Sequence, residues 1–144
     1  MADDVTHLFE KIAAGEIPSH KVYEDDHVFA FLDINPVSRG HTLVIPKQRY
    51  ERLDDLPEEL SAAIGRVLPR LASAVCKASG AHSFNVLSNT GKEAGQVIPH
   101  VHFHIIPWHG PDRSLGITWP ARPVDEADAK ELCQRISTAV ASDG

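Results

Sequence analysis

Hydrophobic residues recur along the chain with two different periods. At three- and four-residue spacing they predict helices, and in short runs bounded by glycine, proline or acidic turns they predict strands. The predicted helices cover residues 6–14, a long segment that begins at 56–59 and ends at Gly80, and residues 124–140. The predicted strands cover residues 21–24, 27–32, 41–45, 83–88 and 100–106. Hairpins and helices segregated in this way predict an α+β fold with an antiparallel sheet.

Composition and charge exclude several broad classes of function. The chain has 144 residues, 42% of them apolar and 24% charged, which favours one globular domain over residues 1–144. Lys and Arg number 14 against 20 Asp and Glu, and the net charge of −6 argues against nucleic-acid binding, which needs a basic face. Short apolar runs predict neither a signal peptide nor a membrane span. Cys76 and Cys133 lack a CxxC pattern, which suits free thiols in the cytoplasm.

The segment 99–107 carries the candidate chemistry. It has histidines at the alternate positions His100, His102 and His104 and a proline at each end, and the prolines are expected to limit the strand. Because side chains alternate between the faces of a strand, the three imidazoles would project from one face. Alternate side chains stand about 6–7 Å apart, the span of a phosphate and its leaving group. A sheet face does not need imidazoles for stability, so the row predicts a function.

Two kinds of site use such a row of imidazoles. Metal sites often contain an HxH pattern, but no Asp, Glu or Cys lies within the five residues after His104. The loop at residues 89–96 is rich in glycine, and backbone N–H groups in such a loop can approach a phosphate closely. Neutral imidazole also attacks phosphorus, and a second imidazole can protonate the leaving group. The pattern therefore favours phosphorus chemistry over metal binding.

The run His-Val-His-Phe-His-Ile-Ile at residues 100–106 resembles the signature of the histidine triad superfamily of nucleotide hydrolases and transferases, in which hydrophobic residues separate three histidines. Other segments match in the expected order and bring the resemblance to about residues 7–107. They are residues 9–12, 15–18, 23–26, 30–34, 40–47 and 95–96. The chain is most similar to the Hint-type branch in its bacterial form, whose members are homodimeric purine-nucleoside phosphoramidases.

This resemblance implies a five-stranded antiparallel sheet with flanking helices, paired with a second copy into one continuous sheet, and a variable C-terminal segment over residues 108–144. It also implies a role for each matched histidine. His102 matches the nucleophile, which attacks the α-phosphorus and forms a nucleotidyl-histidine that water hydrolyses. His104 matches the histidine that contacts the phosphate and the leaving group. His100 and His41 match the histidines that orient and tune the nucleophile.

The remaining matches concern the bound nucleotide. Asp33 matches the acid that accepts hydrogen bonds from both ribose hydroxyls. The positions matched to the apolar walls around the base are Phe9, Phe31 and Ile34. The positions matched to the loop that cradles the phosphate are Asn89, Gly95 and Gln96. Val97 stands where many Hint-type enzymes have a serine, so its backbone N–H can bind phosphate but no hydroxyl is available.

The resemblance further implies which partners and cofactors to expect. Several bacterial relatives hold a structural zinc through a CxxC pattern, but His7, Glu10 and Arg49 stand at the corresponding positions, so we expect no metal and no cofactor. The expected partners are a purine nucleotide (AMP, GMP or a conjugate) and a second copy of the chain, with no nucleic acid and no membrane.

The expected function is hydrolysis at the α-phosphate of purine nucleoside phosphoramidates or acyl-nucleotides linked to AMP or GMP. A dinucleoside-polyphosphate hydrolase is one alternative, although that branch usually has glutamine where Asn89 stands. A nucleotide-binding regulatory protein with incidental turnover is the other.

Overall fold

Helices and strands follow one another in the order that the hydrophobic pattern predicts. A computed structural model describes residues 4–111, 115–117 and 120–142 of the chain. In these residues the helices are α1 (Leu8–Ala13), α2 (Glu58–Ser79) and α3 (Glu126–Ser142). The strands are β1 (Lys21–Glu24), β2 (Val28–Leu32), β3 (Thr42–Pro46), β4 (Ser83–Leu87) and β5 (Phe103–Trp108).

The five strands form one antiparallel sheet, which confirms the predicted fold class. Their order is β1-β2-β3-β5-β4, and every neighbouring pair is antiparallel. The triad strand β5 therefore lies inside the sheet between β3 and β4, whereas β1 and β4 are its edges. Pairing with a second copy of the sheet remains a prediction.

Both faces of the central strands β2 and β3 are covered, which explains why these strands are apolar at nearly every position. α2 packs on one face, in a core formed by Val28, Ala30, Val44, Ala63, Ile64, Val67, Leu71, Ala72 and Ile105. α1 packs on the other face, in a core formed by Phe9, Ile12, Phe29, Phe31, Leu43 and Ile45. Since Phe103 and Ile105 pack on the α2 side, strand alternation directs His104 to the α1 side.

The fifth strand begins later than predicted. β5 starts at Phe103, so His100 and His102 lie in the irregular segment before it. That segment bonds to the loop after β3 instead of to a neighbouring strand: the Val101 N–H donates to the Tyr50 carbonyl at 2.7 Å. The Arg49 side chain also donates through Nε to the Pro99 carbonyl at 2.9 Å. The prediction of one regular strand bearing all three imidazoles is therefore wrong, and only His104 belongs to it.

Pro107 lies within β5, where we expected it to end the strand. The Pro107 carbonyl accepts a hydrogen bond from the Ser38 hydroxyl. In an extended residue the backbone nitrogen and the carbonyl point to the same side, so the N–H that proline lacks would also have pointed toward Ser38. This side lies beyond the last β3 pair, Thr42 with Ile105. No ladder bond is lost there, so β5 continues to Trp108 opposite Ser83.

The described residues fall into two compact units, one within residues 1–113 and the other within 114–144. The sheet and the triad belong to the first unit. The second contains α3, whose Leu132, Ile136 and Val140 are exposed. Across the parts of the chain that the structure describes, no helix has the length and apolar character needed to cross a bilayer. The single domain over 1–144 and the cytoplasmic location remain predictions.

Candidate active site

A cavity of about 520 Å³ opens between α1, the end of β2 and the triad segment. This volume lies in the range of small-molecule sites. Nine of the predicted site residues line it: Phe9, Phe31, Asp33, Ile34, Asn89, Gly95, Val97, His102 and His104. Leu8, Leu43 and Ile98 also line the cavity, and sequence analysis missed them because an apolar wall residue looks like any core residue. The other predicted residues, His41, His100 and Gln96, do not line this cavity.

Backbone carbonyls hold the rings of His100 and His102. His102 Nδ1 lies 2.7 Å from the His100 carbonyl oxygen, and His100 Nε2 lies 2.7 Å from the Pro46 carbonyl oxygen. A carbonyl only accepts, so each of these ring nitrogens carries the proton. His102 Nε2 is consequently an unprotonated nitrogen on a residue that lines the cavity. The Phe9 ring packs edge-on against His102, with centroids 5.1 Å apart, and fixes the ring plane further.

A second hydrogen-bonded chain assigns the protons on His41 and His104. The Val37 N–H donates to His41 Nδ1 at 3.1 Å, so His41 carries its proton on Nε2. That nitrogen lies 2.9 Å from His104 Nδ1 and donates to it. His104 must then carry its proton on Nε2. Two adjacent imidazoles, with ring centroids 5.0 Å apart, thus have opposite characters: His102 Nε2 offers a lone pair and His104 Nε2 offers an N–H.

Burial keeps all four imidazoles neutral near pH 7. Loss of water contact is the largest cause of the lowered pKa at each of His41, His100, His102 and His104. The pKa of His104 falls to about 4, because burial acts together with the neighbouring His102 and His41. The charge of Asp33 opposes the lowering of the pKa at His41 and His102. Neutral imidazole is the form that a nucleophile requires.

Asp33 follows the end of β2 and has one committed and one uncommitted oxygen. Its Oδ1 accepts the Asn35 N–H at 2.8 Å. Its Oδ2 lies 3.6 Å from His41 Nε2, too far for a hydrogen bond. The side chain is 20% exposed and lines the cavity, so a ligand hydroxyl can reach it.

The loop before the triad is braced by the side chain of Gln96. Its Oε1 accepts the Gly91 N–H at 2.9 Å, and its Nε2 donates to the Glu51 carbonyl at 2.7 Å. Gly95 has a φ of +94°, a conformation that glycine adopts without strain. Asn89 and Gly95 line the cavity, whereas the Gln96 side chain holds the loop in shape. A contact from Gln96 to phosphate remains a prediction.

Asp33, His41 and His104 also form a group of three ligand-type side chains whose donor atoms lie within 4.8 Å of one another. The proton positions fit a metal ion poorly. His41 Nδ1 already accepts the Val37 N–H, so His41 would have to lose its Nε2 proton, or break that bond, to bind a cation. At the positions matched to a structural zinc, His7 Nδ1 bonds to Glu10 Oε1 at 2.7 Å. The absence of a metal remains a prediction that these hydrogen bonds support.

Comparison with known proteins adds an independent line of evidence. The HIT domain family model matches residues 14–110. A Bacillus subtilis protein named Protein hit is 42% identical over 134 residues, which cover 93% of this chain and 91% of that protein. The adenosine 5'-monophosphoramidase hnt1 of Schizosaccharomyces pombe is 43% identical over 133 residues, which cover 92% of this chain and 97% of that protein. The crystal structure of a histidine triad nucleotide-binding protein from Candida albicans is 34% identical, with a TM-score of 0.84 over 95% of this chain and 99% of that one.

Proposed function

This chain belongs to the HIT domain family of nucleotide hydrolases, and we propose that it cleaves purine nucleoside phosphoramidates or acyl-nucleotides linked to AMP or GMP. Cleavage occurs at the α-phosphate and passes through a nucleotidyl group on His102. The observation that carries this proposal is the pair of opposite tautomers in the cavity wall: the lone pair of His102 Nε2 beside the N–H of His104 Nε2.

The reaction has two steps, and protons balance over both. With a phosphoramidate as substrate, His102 Nε2 attacks phosphorus and forms a P–N bond while the bond from phosphorus to the leaving nitrogen breaks. The electron pair stays on that nitrogen, which takes up one proton from solvent. With an acyl-nucleotide, the bond to the carboxylate oxygen breaks instead and the leaving carboxylate takes up no proton. Water then attacks phosphorus, the P–N bond to His102 breaks, AMP leaves and one proton returns to solvent. The His100 carbonyl, which holds His102 Nδ1–H at 2.7 Å, stabilises the positive ring of the intermediate.

The same cavity supplies the contacts that hold the nucleotide. Phe31 and Ile34 form apolar walls for the base, and Asp33 Oδ2 accepts hydrogen bonds from the ribose hydroxyls. Backbone N–H groups around Gly95, together with His104 Nε2–H, face the phosphate. The exposed Val97 side chain, 78% accessible, provides no hydroxyl for the leaving group, so leaving-group recognition rests on other contacts.

A single-turnover experiment tests the mechanism. Adenosine phosphoramidate labelled at the α-phosphate is mixed with enzyme, and the protein is analysed under alkaline denaturing conditions that preserve P–N bonds. Wild type should carry label. His102→Ala should bind AMP but lose several orders of magnitude in rate, as expected when a nucleophile is removed. His82→Ala, which changes an exposed histidine, serves as the matched control and should keep the wild-type rate.

The outcomes separate the competing functions. If wild type never carries label, or if His102→Ala keeps more than about a tenth of the rate, the covalent mechanism is wrong. Faster cleavage of diadenosine polyphosphates than of the phosphoramidate would favour the dinucleoside-polyphosphate hydrolase. Tight AMP binding with negligible turnover of every substrate would favour a regulatory protein. A chelator should leave the rate unchanged.

We also propose that the functional unit is a homodimer in which a second copy covers β4. This edge strand exposes Phe84 and Val86, each 45% accessible, on one face. Edge strands with exposed apolar side chains are prone to association. Sedimentation at micromolar concentration should give twice the chain mass, and Phe84→Glu should give a monomer. Val22→Glu on the opposite edge strand β1, a residue 47% exposed, is the control and should stay dimeric; a monomeric wild type would overturn the proposal.

A further inference from the structure

His41 has a single proton on Nε2 and two acceptor atoms near it, one of them within hydrogen-bond distance. His104 Nδ1 lies at 2.9 Å and Asp33 Oδ2 at 3.6 Å. The His41 side chain is only 3% exposed, so bulk solvent does not take the place of either acceptor. The other ring nitrogen is occupied by the Val37 N–H, which prevents the ring from offering a second proton.

The choice of acceptor decides what His104 presents to the cavity. When His41 donates to His104 Nδ1, the proton of His104 stays on Nε2 and can be donated to a phosphate oxygen. When His41 donates to Asp33, His104 Nδ1 has lost its donor and can carry the proton itself. His104 Nε2 would then present a lone pair to an anionic phosphate, which is repulsive.

Asp33 is a strong competitor in the absence of ligand. A hydrogen bond to a charged acceptor is roughly twice as strong as one between neutral groups, and Oδ2 is the oxygen that Asn35 leaves uncommitted. A shift of well under 1 Å would bring Oδ2 to hydrogen-bond distance of His41 Nε2. A ribose hydroxyl that donates to Oδ2 removes this competition.

We propose that Asp33 and His104 compete for the one Nε2–H of His41, so that ribose binding at Asp33 directs this proton to His104 and sets it as the hydrogen-bond donor for the phosphate. His41 is thus a positioning residue that links sugar recognition to the reacting phosphate. The inference rests on the proposed function for its kinetic consequence, but the proton position itself is measurable without turnover.

The kinetic test compares adenosine 5'-phosphoramidate with its 2',3'-dideoxy analogue. In wild type, loss of the hydroxyls should raise KM and also lower kcat for nucleotidyl transfer by about tenfold, as expected when one hydrogen bond to a charged phosphate is lost from the transition state. His41→Gln is the matched variant, since its amide carries two N–H groups and can serve both acceptors. In this variant the hydroxyls should affect KM alone. A wild-type kcat that does not depend on the hydroxyls would overturn the inference.

The structural test reads the tautomer directly. Nitrogen-15 NMR of the imidazoles is recorded with saturating AMP and with saturating 2',3'-dideoxy-AMP, neither of which reacts, and His104→Ala assigns the signals. AMP should increase the fraction of His104 in the Nε2–H tautomer. The dideoxy analogue should leave this fraction as it is in the ligand-free protein. Identical tautomers in both complexes would refute the competition. If the His104 tautomer depends on the ribose hydroxyls but wild type never carries label on His102, the competition for the His41 proton is supported and the proposed reaction is wrong.

Discussion

Replacing Gly40 by alanine should damage both stability and activity. Gly40 lies directly before His41 and has a φ of +96°. A Cβ at this position would lie 3.1 Å from Ser79 Cβ and 3.2 Å from Pro107 Cγ. Neither neighbour is the far end of a flexible side chain, because Ser79 belongs to α2 and Pro107 to β5. The methyl group would therefore push the His41 backbone away from the sheet.

Two costs combine in Gly40→Ala. A non-glycine residue at positive φ is strained by about 1–2 kcal/mol, and overpacking adds about 1–3 kcal/mol. Gly80 provides a matched control, since its φ is +80° but, among the described residues other than its chain neighbours, no heavy atom lies within 4 Å of its Cβ position. Gly80→Ala should therefore cost only the backbone strain. The two variants should differ by about 1–3 kcal/mol in the free energy of unfolding.

Urea denaturation followed by circular dichroism measures these free energies, and the phosphoramidate assay measures the rate. Gly40→Ala should lower kcat because any displacement of His41 breaks its 2.9 Å hydrogen bond to His104, whereas Gly80→Ala should keep the wild-type rate. Equal destabilisation by the two substitutions, or a wild-type kcat in Gly40→Ala, would refute the reasoning.

The remaining predictions concern pH and the ribose contact. The folded pKa of His104 is about 4, below its ordinary 6.5, so the unfolded chain binds more protons between these values; stability is complete above pH 6.5 and should decrease by up to about 3 kcal/mol as pH falls to 4. In urea titrations, His104→Gln should make the free energy of unfolding less dependent on pH between 6.5 and 4. The same pH dependence in this variant as in wild type would contradict the assignment to His104. Because burial also lowers the pKa of His102, the acid limb of kcat/KM should have its midpoint below pH 6.5; a midpoint above 6.5 would show that burial does not dominate. Asp33→Ala should weaken AMP binding about tenfold or more, the value of a charge-assisted hydrogen bond, and calorimetry should then find AMP and 2',3'-dideoxy-AMP equally bound; a persisting preference for AMP would place the ribose contact elsewhere.

Several features of the site could be predicted from local sequence because they depend on residue type and period. The alternation of histidine with apolar residues at 100–106 identifies the candidate chemistry. The position of Asp33 after an apolar strand and the glycines of the loop at 89–96 mark the ends of elements, where side chains and backbone N–H groups are free to meet a ligand. Of these residues, Asp33, Gly95, His102 and His104 line one cavity.

Other features could not be predicted, because they depend on contacts between distant segments. A strand over 100–106 has the right hydrophobic pattern, yet Val101 bonds to Tyr50, and no pattern within the segment reveals that partner. The Gln96 side chain likewise turns to the Glu51 carbonyl, 45 residues away. Local sequence specifies which groups must find a hydrogen-bond partner, but not which partner the fold supplies.

The amino-acid sequence by itself determined the α+β fold, the order of the helices and strands, and the presence of four histidines suited to phosphorus chemistry. Only the tertiary structure decided which nitrogen of the His100 ring and of the His104 ring carries the proton. An imidazole has two equivalent candidates, and the choice follows from the neighbouring group: the Pro46 carbonyl for His100, 54 residues away, and His41 for His104, 63 residues away. Because those neighbours meet only when the sheet has formed, the proton positions of His100 and His104 are properties of the fold, whereas that of His102 follows from the His100 carbonyl two residues before it.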